Sequence, residues 1–306
     1  MNVFKFGGAS VKDADAVRNV TEIIRLFEGK KLLIVISAMG KTTNALEIVV
    51  DALWKRNKQV FDDKIAELKL FHFTIADQLF SSSSHPVFHQ LNEVFQTLES
   101  RYKEEIPDNY NYEYDQIVSL GEIISTLIVE AYITTSGFSS KWMDARRLIR
   151  TNNTFRDAEV DWKRTEELIR TTVLPAFDQT DIIITQGFIG HTSELLTTTL
   201  GREGSDFTAG IFAYCLNAEN VTIWKDVPGM LNADPKYFDN TVKLDKISFS
   251  EAIELSYYGA SVIHPKTLKP LQNKNISLFV KSFVDPQAEG TEIQSSGEFD
   301  HLIPSF

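Results

Sequence analysis

The stretch VFKFGGASVK, residues 3–12, joins a short apolar strand pattern to two glycines and a serine, with a lysine inside the strand. Lysine is uncommon in strands, and Gly7-Gly8 ends this one abruptly because glycine adopts backbone conformations that other residues avoid. Taken alone, Lys5 is typical of an edge-strand lysine whose ammonium reaches solvent. Its position two residues before the glycines favours another interpretation, in which the ammonium lies beside phosphates bound at the glycine turn.

The rest of the chain alternates strand-like and helical patterns. Residues 13–28 and 86–104 carry apolar residues at helical spacing, whereas residues 44–136 contain hardly a strand signal and predict a helical insertion. Short runs of β-branched and apolar residues, several of them continuous as in strands buried on both faces, occur at 3–6, 31–37, 140–144, 181–187, 221–226 and 276–282. This alternation predicts an α/β fold with a mainly parallel sheet.

Bulk composition limits the classes of function. The chain has 306 residues and a formal net charge of -11, which argues against general nucleic-acid binding because that requires a basic face. A single cysteine excludes an internal disulfide and is typical of a reducing, cytoplasmic compartment. No run approaches 18 consecutive apolar residues, so we expect no membrane span.

Small, polar or glycine-rich turns follow the predicted strands. GGAS follows the first strand, SAMGKTTN the second, QGFIG the fourth and DVPGMLNADP the fifth. In open α/β sheets ligands bind beyond the carboxyl ends of the strands, and glycine turns let backbone N–H groups approach a phosphate closely. The predicted ligand site therefore lies at these turns.

The segment GKTT, residues 40–43, is not a P-loop. The pattern G-x-x-x-x-G-K-[ST] needs a glycine at the position of Val35, which lies inside a predicted strand. What remains is a hydroxyl-rich turn that opens a helix. Thr43 and Asn44 either cap that helix or contact a ligand, and this stretch alone favours capping.

The segment SLGE, residues 119–122, also has two interpretations. Ser119 and Glu122 match the S-x-x-E capping box before an apolar run, which this stretch alone favours. In the functional interpretation, Glu122 supplies a carboxylate that receives a substrate ammonium.

The segment TTTLGREGSDFTAG, residues 197–210, is the most informative. Gly204-Ser205-Asp206 is typical of a helix N-terminus, where Ser205 or Asp206 is a capping candidate. Arg202 has no such helical role, and a guanidinium suits a carboxylate because it forms two parallel hydrogen bonds. Arg202 and Asp206 are therefore candidates for holding the two charged ends of an amino acid.

The segment WKDVPGMLNADPK, residues 224–236, contains two turns with proline. Turn formation explains Pro228-Gly229 and Asp234-Pro235. Asp226, at the end of a predicted strand, is a candidate contact for a nucleotide or for magnesium.

Together these segments resemble the aspartate kinase (aspartokinase) family. The similar pieces, in family order from about residue 3 to 293, are KFGGAS, SAMGKTTNAL, SLGEIIST, RLIRTNN, ITQGFIG, TTTLGREGSDFTA, WKDVPGMLNADPK and GASVIHPKTL. The resemblance implies the amino-acid-kinase fold, a three-layer α/β/α sandwich with a mainly parallel central sheet. It implies a catalytic domain over 1–293, with an aspartate-binding lobe at about 1–200, an ATP-binding lobe at about 201–293 and a tail at 294–306.

The resemblance also implies transfer of the γ-phosphoryl group of ATP, with Mg²⁺, to the β-carboxylate of L-aspartate, which opens lysine, threonine and methionine biosynthesis. It implies a catalytic role for Lys5 and Asp206. It implies a phosphate and ATP site at Lys5, Phe6, Gly7, Gly8, Ser10, Lys225, Asp226, Leu231 and Lys236. It implies aspartate binding by Thr43, Glu122, Arg202, Ser205 and Asp206, while the magnesium ligands stay open. Other acceptors (glutamate, N-acetylglutamate, carbamate or UMP) and a catalytically silent homologue are the alternatives.

The sequence departs from the family pattern at several positions. The family often has threonine, tyrosine and arginine at the positions of Lys225, Leu231 and Lys236. It often has a lysine at the position of Ser261, where this chain has Lys266 nearby. Glycine is common in the family at the position of Glu203. The chain also stops near the point where paired ACT regulatory domains begin in typical members. We therefore expect either a catalytic-only form or a shortened chain, insensitive to lysine and threonine. The resemblance is compatible with a homodimer.

Overall fold

A central eight-stranded sheet organises the chain. The computed structural model describes residues 1–105, 108–233, 238, 240–257 and 262–295. The strands are β1 (Asn2–Phe6), β2 (Leu32–Ile36), β3 (Ser140–Met143), β4 (Ile182–Gln186), β5 (Ile189–His191), β6 (Thr197–Thr199), β7 (Asn220–Lys225), β8 (Lys246–Ser248), β9 (Ser277–Ser282) and β10 (Thr291–Gln294). The main sheet has the order β3-β4-β2-β1-β7-β9-β10-β8, and β5 and β6 form a separate antiparallel pair.

The main sheet is parallel except where β10 pairs antiparallel with β9. All six predicted strands are confirmed, with bounds that differ by one residue or a few. β2 and β4 are buried along their whole length, which explains their continuous apolar runs. The mainly parallel α/β class is therefore confirmed.

Helices cover both faces of the sheet. They are α1 (Ala14–Arg25), α2 (Thr42–Trp54), α3 (Lys58–Leu79), α4 (Pro86–Ser100), α5 (Tyr110–Val118), α6 (Leu120–Thr135), α7 (Trp162–Ala176), α8 (Gly204–Leu216), α9 (Phe249–Tyr257) and α10 (Pro265–Lys274). One apolar core joins α1–α6 to the face that carries Phe4 and Phe6, and a second joins α7–α10 to the face that carries Val3. The arrangement is the expected three-layer sandwich.

The predicted helical insertion consists of α2–α6. Among the described residues of this insertion there is no strand, and Ser81–Ser84 lies at the junction between α3 and α4 as expected. The helical segment Tyr110–Thr135 is long and apolar enough to cross a membrane by length and composition. Because 78% of its most apolar window is buried inside the protein, it has the character of a core helix.

Four short strands were not predicted from the sequence. β5, β6 and β8 have three residues each and β10 has four, which is too short for a periodic signal. Gln294, the first residue of the predicted tail, belongs to β10. The remaining tail residues from 296 onwards lie outside the described residues.

Candidate functional site

A cluster of two lysines and one aspartate, of which Lys5 and Asp206 are buried and Lys225 is half-buried, lies at the carboxyl ends of the central strands. Lys5, on β1, is 8% exposed, and its Nζ lies 2.6 Å from Oδ1 of Asp206 in the first turn of α8. Lys225, the last residue of β7, places its Nζ 3.4 Å from Oδ2 of the same carboxylate. β1 pairs with β7 so that Lys5 lies opposite Ile223, and the alternation of side chains puts Lys225 on the same face.

The two lysines of this cluster decide the protonation state of Asp206. Burial alone would raise the pKa of Asp206, but the ammonium groups of Lys5 and Lys225 outweigh burial and hold the pKa below its ordinary value. The carboxylate is therefore ionised at neutral pH. Two cations and one anion leave the cluster with a net positive charge, which favours an anionic ligand.

The start of α8 allows Asp206 to face the lysines. Glu203 precedes the helix in the left-handed region, with φ +52°, and no side chain caps the helix. Capping by Ser205 or Asp206 is therefore wrong. A left-handed residue here also explains why glycine suits this position. A Cβ on Gly187 would lie 2.5 Å from Ser205, so only glycine lets the end of β4 pack this closely on α8.

An open cavity of about 490 Å³ contains the lysine–aspartate cluster. Several of the residues that line it lie at the carboxyl ends of strands, where ligands bind in open α/β sheets. Ser37 follows β2, Phe188 follows β4, and Lys225 ends β7. The structure brings together on this wall the predicted residues Lys5, Thr43, Glu122, Arg202, Ser205, Asp206 and Lys225.

Glu122 is a buried carboxyl group on α6. It is 3% exposed, its Oε1 accepts the N–H of Ala38 at 3.4 Å, and its Oε2 has no hydrogen-bond partner among the described residues. Burial raises its pKa to about 8. Ser119 has helical backbone angles between α5 and α6 and makes no capping bond, so the capping interpretation of SLGE is wrong.

Thr43 lies in the first turn of α2 rather than at its cap. The residue before the helix is Lys41, which makes no side-chain capping bond, so capping by Thr43 or Asn44 is wrong. Thr43 lines the cavity instead. The neighbouring Thr42 hydroxyl contacts Nε2 of buried His72 at 3.2 Å, which ties this turn to α3.

The glycine turn after β1 lies outside the cavity lining. Gly8 opens a 3-10 turn, Gly8–Val11, and a Cβ on it would lie 2.7 Å from the carbonyl oxygen of Ala38. Phe6 is fully buried and stacks on Trp224 at 5.9 Å, so its ring belongs to the core. Ser10 is buried, and its Oγ has no partner among the described residues.

The predicted nucleotide-binding residues after β7 do not line the cavity where the structure describes them. Asp226 is exposed and Leu231 is half-buried; neither lines the cavity, and Lys236 lies outside the described residues. Lys225 also donates a hydrogen bond to the carbonyl of Val262. Lys266 pairs with Asp157 at 3.0 Å rather than reaching the cavity.

Several cavity residues were missed from the sequence. They are Ser37, Tyr114, Arg156, Phe188, Gly201, Glu203 and Gly204. Ser37 directly follows β2 and Phe188 lies two residues after the end of β4, and these positions were a usable signal. Tyr114 and Arg156 carried no such signal because α5 and the loop after β3 reach the cavity only through the packing of the helical insertion.

The described residues contain no group of three or more histidine, cysteine, aspartate or glutamate side chains arranged to hold a metal ion. Asp206, the buried carboxylate nearest the lysines, is already paired with two ammonium groups. Among the described residues, these donors therefore do not form a protein cage for Mg²⁺.

A parallel α/β sheet with a cationic cavity at its strand ends defines a class of proteins that bind small anionic ligands there. The family model "Amino acid kinase family" matches residues 1–282, and the chain belongs to this family.

Among curated proteins, the chain is 34% identical over 296 residues to lysine-sensitive aspartokinase 3 of Escherichia coli, covering 97% of this chain and 64% of that protein. It is 32% identical to the chloroplastic bifunctional aspartokinase/homoserine dehydrogenase 2 of Arabidopsis thaliana, covering 98% of this chain and 33% of that protein. A solved structure of E. coli aspartokinase III in complex with aspartate and ADP superposes with a TM-score of 0.87 at 34% identity, covering 98% of this chain and 65% of that one. The chain thus spans about two thirds or less of the length of these relatives.

Proposed function

We propose that the chain is an aspartate kinase that transfers the γ-phosphoryl group of MgATP to the β-carboxylate of L-aspartate, giving 4-phospho-L-aspartate. The observation that carries the proposal is the single cavity shared by Lys5, Glu122, Arg202 and Asp206. A solved structure of a relative holds aspartate and ADP, which are the proposed acceptor and the product nucleotide of this reaction. The product feeds lysine, threonine and methionine biosynthesis in the cytoplasm.

Three groups of the cavity match the three charged groups of aspartate. The guanidinium of Arg202 suits the α-carboxylate through paired hydrogen bonds. The unpartnered Oε2 of Glu122 suits the α-ammonium. The β-carboxylate then faces Lys5 and Lys225, with Thr43 and Ser205 on the cavity wall as hydroxyl donors.

The chemistry needs no general base because the attacking carboxylate is already ionised. The protein has to align two anions and offset the charge that moves toward the leaving phosphate. Lys5 and Lys225 supply that positive charge, and Asp206 fixes both ammonium groups. Phe6, Gly7, Gly8 and Ser10 stay predicted members of the phosphate turn. Asp226, Leu231 and Lys236 stay predicted members of the nucleotide site in the lobe at about 201–293.

Other acceptors fit the cavity less well. An N-acetylated acceptor has no ammonium, so it would leave the buried Glu122 carboxyl group without a charged partner. Carbamate and UMP carry no α-carboxylate for Arg202. Glutamate differs from aspartate only by one methylene, so a direct comparison of the two acceptors is required.

The test is turnover with a panel of acceptors. Purified protein with MgATP and L-aspartate should release ADP and form an acyl phosphate that hydroxylamine traps as a hydroxamate. Glutamate should react at least about tenfold more slowly, since one methylene is worth roughly 1–3 kcal/mol. N-acetylglutamate, carbamate and UMP should also react more slowly than aspartate, because each lacks the ammonium or the α-carboxylate. Faster turnover of another acceptor would reassign the substrate, and ATP binding without turnover on any acceptor would identify a silent homologue.

A further inference from the structure

Two arginines line the cavity, and the proposed reaction uses only one of them. Arg202 is assigned above to the α-carboxylate, whereas Arg156 has no role so far. Both side chains are exposed, unlike the buried Lys5 and Asp206. Within the described ranges neither guanidinium forms an ion pair with a carboxylate, so both are available to an anion that enters the cavity.

Aromatic stacking holds the side chain of Arg156. Its guanidinium carbon lies 4.2 Å from the centre of the Tyr114 ring, and Tyr114 itself lines the cavity. The Tyr114 hydroxyl donates to Glu47 Oε1 at 2.8 Å, which fixes the ring in turn. Stacking occupies the flat face of a guanidinium and leaves its edge N–H groups free for two parallel hydrogen bonds to a carboxylate.

A fully buried carboxylate holds the backbone of Arg156. Both Asp115 oxygens accept the Arg156 N–H, at 3.2 and 3.0 Å, and fix this residue in the left-handed region with φ +73°. Asp115 also accepts the N–H and the hydroxyl of Thr199, at 2.9 and 2.7 Å. Thr199 lies three residues before Arg202, so one carboxylate braces the two loops that carry both arginines.

We propose that Arg156 is a second acceptor-binding residue, which contacts the α-carboxylate together with Arg202, and that Asp115 is its positioning residue. The inference rests on the proposed function because it takes the acceptor to be an amino acid with two carboxylates. The β-carboxylate has to meet the phosphoryl group at Lys5 and Lys225, whose ammonium groups both pair with the buried Asp206. The exposed arginines therefore face the opposite, α-carboxylate end of the acceptor.

The first test compares Arg156→Ala and Arg156→Lys with Arg147→Ala, an exposed arginine outside the cavity lining, as matched control. Arg156→Ala should raise the KM for aspartate about tenfold, as expected for one hydrogen bond to a charged group, and leave the KM for ATP unchanged. Arg156→Lys should lie in between because it keeps the charge without the paired donors. An unchanged KM for aspartate in Arg156→Ala would overturn the proposal.

The second test measures binding by calorimetry, with no turnover involved. β-Alanine is aspartate without its α-carboxylate, so the wild-type protein should bind it more weakly than aspartate. In Arg156→Ala this preference should shrink about tenfold, and an unchanged preference would overturn the proposal. If the wild-type protein binds aspartate but phosphorylates no acceptor, the proposed function fails while this comparison still decides the role of Arg156. Absence of aspartate binding would overturn both.

Asp115 is tested by Asp115→Asn, which keeps the size of the side chain but loses one acceptor oxygen. The KM for aspartate should rise severalfold with the KM for ATP unchanged. In the double variant with Arg156→Ala, the increase should be smaller than the product of the two single effects, because part of the Asp115 effect passes through Arg156. Two results would mean that Asp115 does not position Arg156. In the first, the effects of the two single changes on the KM for aspartate multiply fully in the double variant. In the second, Asp115→Asn lowers the melting temperature without changing this KM.

Discussion

The proposed acceptor site and the predicted nucleotide site differ in how their residues are held. Glu122 and Asp206 lie on helices, are at most 3% exposed, and are fixed by the packing around them. Asp226 and Leu231 lie in the turn after β7, at or near the surface and away from the cavity lining. Regular elements carry functional side chains to a place that sheet geometry dictates, whereas a turn places them only through its own conformation.

A second contrast is between the lysines and the arginines that line the cavity. The lysines share one buried aspartate, which holds their two ammonium groups in place. The two arginines that line the cavity, Arg156 and Arg202, are exposed. We therefore expect changes at the lysines to affect mainly kcat and changes at the arginines to affect mainly KM.

The largest effect should come from Lys5→Ala. Loss of one preorganised charge at the transferring phosphoryl group should lower kcat by about 10²–10³-fold, with the KM for aspartate nearly unchanged. Steady-state kinetics at saturating MgATP measures both. Lys5→Met, which preserves the length of the side chain, should behave alike, and a kcat within tenfold of the wild-type value would remove Lys5 from the catalytic role.

Arg202→Ala should raise the KM for aspartate by about 10–100-fold, because hydrogen bonds to a charged group are worth roughly 1.5–3 kcal/mol. The kcat should change less than the KM. Arg202→Lys should recover part of the loss. Unchanged saturation by aspartate in Arg202→Ala would show that the acceptor end is assigned wrongly.

Glu122 should make aspartate binding dependent on pH. Its pKa of about 8 means that the carboxyl group is mostly protonated at pH 7 in the empty cavity, yet it has to ionise to hold an ammonium. The KM for aspartate should therefore rise as pH falls below 8, approaching about tenfold per pH unit. Glu122→Gln should raise the KM and flatten this dependence between pH 6 and 8. A wild-type KM that stays constant over that range would exclude the role.

The smallest effect concerns the backbone before α8. Glu203 has φ +52°, which costs a residue with a side chain more than it costs glycine. Glu203→Gly should raise the free energy of unfolding by about 0.5–1 kcal/mol in urea titration. Glu203→Ala keeps the strain and is the matched control. Equal stability of the two variants would show that φ at this position carries no cost.

Much of the fold was predictable because strands buried on both faces and amphipathic helices leave strong periodic patterns. The strands at 3–6, 31–37 and 181–187 and the helical insertion were all found this way. The capping interpretations of Ser119 and Thr43 were wrong because a capping box and a functional carboxylate or hydroxyl share one local pattern. Only long-range packing distinguishes the two.

The sequence alone determined the α/β class, the family and the strand-end position of the site, because these depend on residue patterns within a few turns of chain. Tertiary structure alone decided that Lys5, Asp206 and Lys225 form one cluster, although they lie on separate elements. It also placed Arg156 and Tyr114 on the cavity wall. Such placements depend on how distant elements pack together, and no local pattern records that packing.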